Sequence, residues 1–141
     1  MSGKSFLDTN ILIYAYDRDA GQKREQAAEL ISALWKQRSG ILSTQVLQEF
    51  YVNVTRKIPT PLSPAKARDI VRKYLTWPII ENNGASVLTA SEIQERFLLS
   101  FWDALILAAA REGGAQELIS EDFNHGQIIL GLTIRNPFLD Q

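Results

Sequence analysis

A chain of 141 residues has room for one domain with a real core and too little for two, so a single domain over residues 1–141 is expected. The absence of cysteine and the presence of one histidine, His125, exclude disulfides, thiolate zinc sites and histidine-rich zinc sites. A net charge of −1 neither announces nor forbids a nucleic-acid partner. With no apolar run near the ~20 residues of a membrane span and no secretory pattern at the N-terminus, the expected compartment is the cytoplasm.

Lys4 to Leu7 reads as a short buried strand that ends on Asp8, with Asn10 placed to cap a helix over Ile11 to Tyr16. A carboxylate at the end of a covered strand is poorly explained by packing, because burying it without a partner costs several kcal/mol. In open α/β sheets, that edge is where ligands bind. After the polar break Asp17 to Gly21, the spacing of Ala27, Leu30, Ile31 and Leu34 predicts a helix from Gln22 to Arg38, ended by Gly40. Ile41-Leu42 is a second short strand. Ser43 or Thr44 then caps a third helix running to about Arg56, in which Glu49 is the odd residue of an apolar stretch.

Pro59, Pro61 and Pro64 punctuate the middle, and Ser63-Pro64 opens a helix over Ala65 to Leu75. Trp77 to Ile80 suggests a third strand, closed by the turn residues Asn82-Asn83-Gly84. Ser86 is placed to cap a helix from Val87 towards Phe97. Ser100 to Asp103 opens Ala104 to Ala110, a segment apolar on every side and so buried all round, and Gly113-Gly114 stops it. Glu117 to Ser120 is a strand followed by Glu121-Asp122, and Gly131 to Arg135 a final, edge-like strand. Phe101 and Trp102 read as core packing, Glu121 as a solvated neighbour of Asp122, and His125 as a loop residue. The pairs Lys23/Arg24, Arg56/Lys57 and Arg72/Lys73 read as solvated helix faces. The alternation predicts an α/β fold with a parallel sheet of four to five short strands and helices on both faces.

Four acids fall at comparable places. Asp8 ends the first strand, Asp122 follows the strand ending at Ser120, Glu49 lies about one turn into the helix after the second strand, and Asp103 stands at the start of the buried helix. Parallel strands end on one edge and the following helices begin there, which allows one shared crevice. Carboxylates that close do not all stay ionised unaided, and no Lys or Arg stands beside them in sequence. Mg2+ or Mn2+, both oxygen-seeking, fits the charge best. One or two such ions can hold a phosphodiester, lower the pKa of a bound water and stabilise a leaving oxygen.

Phe6-Leu7-Asp8-Thr9-Asn10, Glu49 in its helix, Ser100-Phe101-Trp102-Asp103-Ala104 and Ile119-Ser120-Glu121-Asp122-Phe123-Asn124-His125-Gly126 together resemble the PIN-domain family, most closely its VapC-type toxin ribonucleases. The resemblance covers nearly the whole chain in order. It implies a three-layer α/β sandwich in which Asp8, Glu49, Asp103 and Asp122 bind Mg2+ or Mn2+ and cleave RNA. Thr9 and Ser120 then stand where the family often places a hydroxyl beside the metal, with Asn10 next to them. It further implies a homodimer held inactive by an antitoxin encoded alongside. The reading is therefore a metal-dependent endoribonuclease, the toxin half of a type II toxin–antitoxin pair. Its rivals are a PIN-fold RNA- or protein-binding module without hydrolysis, which has no reason to keep four acids, and a small-molecule phosphatase, which would want a second Asp at Asn10.

Overall fold

Ser5, Phe6 and Leu7 are all buried, on both sides of the pleat, and form the central strand β1 (Ser5–Leu7) of a six-stranded sheet. The computed structural model describes residues 3–139. β1 pairs in parallel with β2 (Gly40–Ser43) on one side and β4 (Glu117–Ile119) on the other. β3 (Ile79–Ile80) extends the sheet in parallel beyond β2, and β6 (Leu132–Arg135) does so beyond β4. β5 (Ile128–Ile129) closes the far edge antiparallel to β6, giving the order β3-β2-β1-β4-β6-β5. Successive buried residues along β1 and β2 mean that both faces of the sheet are covered, as a parallel sheet requires.

The covering helices are α1 (Thr9–Tyr16), α2 (Gln22–Gln37), α3 (Thr44–Val52), α4 (Pro64–Tyr74), α5 (Gly84–Phe97) and α6 (Phe101–Glu112). α1 packs against α2 and α3, and α5 against α6. Ala104 to Ala110 are buried without exception, so α6 is the enclosed helix its composition predicts. Phe6, Leu7, Ile41, Leu42, Leu118 and Ile119 from the strands meet Ile11, Leu12, Phe50 and Leu107 from the helices to make the core.

The mostly parallel α/β sheet is as expected; its details differ in instructive ways. The sheet has six strands rather than four or five, and β6 is internal because the two-residue β5 takes the edge. α1 begins at Thr9, since Asp8 and not Asn10 caps it, the Thr9 N–H donating to Asp8 Oδ1 at 2.7 Å. α2 ends on Arg38 in the left-handed conformation (φ 54°), while Gly40 lies inside β2. α5 starts at Gly84 under an Asn83 cap, with Ser86 as the reciprocal partner three residues on: the Ser86 N–H donates to Asn83 Oδ1 at 3.1 Å and the Asn83 N–H to Ser86 Oγ at 3.0 Å. α3 does not run on to Arg56. From Asn53 to Lys57 it widens into a π-helical turn, where Thr55 Oγ1 donates to the Tyr51 carbonyl at 2.7 Å and Ile58 N–H reaches Asn53 O at 3.1 Å.

Candidate active site

The register of β1 and β4 sets Leu7 opposite Ile119, so Asp8 and Ser120 leave the sheet side by side. Ser120 Oγ donates to Asp8 Oδ2 at 2.7 Å and accepts from the Asp122 N–H at 3.0 Å. β2 feeds directly into α3 under a Ser43 cap, which brings Glu49 to the same edge. Thr9 Oγ1 donates to Glu49 Oε1 at 2.5 Å, and Asn10 Nδ2 reaches towards Asp122 Oδ2 at 3.5 Å. Ser100 caps α6 by accepting from the Asp103 N–H at 3.1 Å, so Asp103 stands in the first turn and is not itself the cap.

Asp8, Glu49, Asp103 and Asp122 all line one crevice of about 460 Å3, together with Thr9 and Asn10. Asp8 is 5% exposed. Burial pushes its carboxyl up to about 7, against the hydrogen bonds from Ser120 and Thr9 and with help from the Asp122 and Asp103 charges. Burial also raises Asp103, reinforced by Asp122 and Glu49 and opposed by its bond with Ser100. The four acids therefore act on one another electrostatically. In donor type and charge they suit a hard divalent cation. As placed, no three His, Cys, Asp or Glu side chains form a coordination cluster among the described residues.

Several lining residues carry no motif. Gln45 is 4% exposed; its Nε2 donates to the Trp102 carbonyl at 3.2 Å and to Glu49 Oε2 at 3.4 Å, bridging α3 to α6, while its Oε1 has no partner among the described residues. Asn53 and Lys57 continue the wall. Gln45, Glu49, Asn53 and Lys57 are spaced by four, a polar stripe along α3 and the turn that follows it, and that spacing was readable from the sequence. On an α-helix such a stripe drifts by about 40° per step, and the wider π-helical turn counters the drift and keeps Lys57 at the crevice. Lys57 is the cation that the sequence did not place there.

Three other readings change. Trp102 is 62% exposed and lines the crevice, so it is not core, although Phe101 beside it is half-buried. Glu121 is not solvated: Tyr14 Oη and Lys23 Nζ both donate to it, the latter at 2.9 Å, and Lys23 lies over the Tyr14 ring at 4.9 Å. That also removes Lys23 from the set of free surface charges. His125 is an exposed loop residue, as expected, its Nδ1 accepting from the Asn136 N–H at 3.0 Å.

A family model of the PIN domain matches residues 5–128, and the chain belongs to the PIN domain family. Solved structures with the same fold include a chain of a toxin–antitoxin complex from Klebsiella pneumoniae, 21% identical over 96% of this chain and 98% of that one, with a TM-score of 0.71. Mycobacterium tuberculosis VapC20, a sarcin–ricin loop cleaving toxin, is 21% identical over 84% of this chain and 92% of its own, with a TM-score of 0.65. A chain of DNA-bound VapBC from Salmonella typhimurium is 16% identical over 96% of this chain and 99% of that one, with a TM-score of 0.64. No curated protein matches the chain.

Proposed function

We propose that this protein is a metal-dependent endoribonuclease, the toxin component of a type II toxin–antitoxin pair that works in the cytoplasm as a homodimer. The observation that carries the reading is the convergence of Asp8, Glu49, Asp103 and Asp122 on one crevice, with the buried Asp8 carboxyl raised to about 7. A PIN domain spanning residues 5–128 and the toxin–antitoxin setting of its structural neighbours support it.

Asp8 and Asp103 would hold a Mg2+ or Mn2+ ion, with Glu49 and Asp122 completing the oxygen set. Once bound, such an ion supplies charge neutralisation for a phosphodiester and a water of lowered pKa. The chain's own groups orient these ligands. The Ser120 hydroxyl fixes one Asp8 oxygen, and the Thr9 hydroxyl and Gln45 amide fix the two Glu49 oxygens. Glu49 and Asp122 would orient the attacking water, and no side chain need be a nucleophile. An antitoxin that inserts an arginine fork between paired carboxylates would compete with the ion for the same charge.

The test is incubation of mixed RNA with the full chain and Mn2+, with and without EDTA, alongside Asp8→Asn. Cleavage that needs the metal and is lost in Asp8→Asn is the expected result. A binding module without hydrolysis would leave the RNA intact in every lane. Cleavage by Asp8→Asn at the parent rate would remove Asp8 from the site. Light scattering that gives a species near 15.9 kDa would remove the dimer.

A further inference from the structure

We infer that Trp102 and Lys57 form a station for one unpaired nucleotide beside the carboxylates, the indole stacking the base and the ammonium meeting an adjoining phosphate. The inference rests on the nuclease reading and assigns to these two residues the contact that would hold one unpaired nucleotide of its RNA.

Trp102 opens the most enclosed helix of the fold, yet its side chain is 62% exposed while Ala104 to Ala110 are all buried. Leaving an indole in water forgoes the burial of a large apolar surface, so packing does not explain its position. Trp35, 37% exposed, is different: it belongs to an aromatic cluster with Tyr74 and Trp77, at 4.9 and 5.1 Å. Among the described residues the ring partner of Trp102 is its sequence neighbour Phe101, edge-on at 5.3 Å. The backbone beneath it is anchored, because the buried Gln45 amide donates to the Trp102 carbonyl while also bonding Glu49. The indole is thus an exposed flat surface on a fixed support, one residue from Asp103 and tied through Gln45 to Glu49.

Lys57 lines the same crevice from the π-helical turn. It is exposed and makes no ion pair among the described residues. A cation left unpaired beside four acids is matched to a ligand that brings its own negative charge past them, and a phosphate is such a ligand. A π-face, a free ammonium and a phosphodiester-directed acid set in one crevice together describe a nucleotide in a flexible strand. Bases inside a duplex are already stacked on each other and do not present their faces to an indole.

The experiment uses the full chain carrying Asp8→Asn, with Mn2+, and reads binding of a short labelled RNA by anisotropy, single-stranded and annealed to its complement. In parallel, the chain with its acids intact gives kcat and KM. Trp102→Ala should weaken single-strand binding about ten-fold and raise KM more than it lowers kcat, and Trp102→Phe should restore most of the loss. Lys57→Ala should lower the slope of log affinity against log salt by about one phosphate. In the chain with its acids intact, the Mn2+-induced rise in melting temperature should be the same with and without the Trp102 and Lys57 substitutions. Trp102→Ala that binds and cleaves like its parent overturns the inference while the nuclease reading stands. So does a duplex bound as tightly as the single strand. A Trp102→Ala that loses its oligomeric state with RNA affinity unchanged also overturns it, and makes the indole a protein contact. A parent that neither binds nor cleaves RNA overturns both.

Discussion

Ser120 donates its hydroxyl to Asp8 Oδ2 at 2.7 Å from the end of the neighbouring strand, and Ser120 Oγ in turn accepts the Asp122 N–H at 3.0 Å. One fully buried side chain thereby sets the rotamer of one acid and the backbone of another. Ser120→Ala removes a donor from a buried carboxyl and an acceptor from a backbone N–H, a loss of about 1–3 kcal/mol. Because the Ser120 bond holds the Asp8 pKa down, its removal should also make the Asp8 proton harder to displace and raise the Mn2+ concentration needed to stabilise the fold. Urea unfolding and a Mn2+ titration of the melting temperature check both parts. A Ser120→Ala variant with an unchanged Mn2+ midpoint would show that Asp8 does not meet the ion.

Asp8→Asn should stabilise the metal-free protein, and do so only at higher pH. The folded pKa of Asp8 is about 7 against an ordinary 3.8, so between those values the folded chain holds a proton that the unfolded chain has released. Stability from this group is full below about pH 4 and is lost as pH rises through about 7, a decline on the order of 4 kcal/mol. In EDTA the protein should melt higher at about pH 5 than at about pH 8, and Asp8→Asn should flatten most of that slope. Asp103, raised by burial and by Asp122 and Glu49, contributes with the same sign. A slope that survives Asp8→Asn intact would locate the titration elsewhere.

Divalent ion should offset much of that slope. Binding to the folded state alone stabilises by mass action, about 2.7 kcal/mol at a hundred-fold excess over Kd. Since Asp8 must lose its proton to act as a ligand, the gain should grow as pH rises through about 7. Thermal melts with millimolar Mn2+ across that range, at low ionic strength, measure it. A melt that Mn2+ leaves unmoved at high pH would sink the metal-binding reading.

The four acids were legible because each is a charged residue where a covered strand or an apolar helix leaves no packing reason for one. Asp8 after β1, Asp122 after β4 and Glu49 on α3 then fall on one edge by the logic of a parallel sheet. Trp102 was misread because the apolar run of Ala104 to Ala110 says that the helix is buried and not that its first turn projects. Lys57 depends on a π-helical turn, for which local sequence carries no clear signal. Glu121 is held by Tyr14 and Lys23, which come from α1 and α2, and contacts across such separations are invisible to local periodicity. β5 was missed because two residues are too few to show an alternation.

Gly40 was legible as a special position and given the wrong reason. It does not end α2, which stops at Arg38, and it is not among the positive-φ residues. A Cβ there would lie 2.2 Å from Cζ3 of Trp77 and 2.6 Å from two further atoms of that ring. Trp77 is 8% exposed and wedged by Trp35 and Tyr74 at 5.1 and 5.3 Å, so the ring has little room to yield. Gly40→Ala must therefore push the ring or displace β2 from its pairing with β1, where Gly40 sits opposite Ser5. Overpacking of this kind costs about 1–3 kcal/mol. A smaller ring should relieve it, so Gly40→Ala with Trp77→Phe should be more stable than the two single effects added together. Urea unfolding of the four proteins in the cycle gives the coupling directly. If the two effects simply add, the contact with Trp77 is not what requires glycine at position 40.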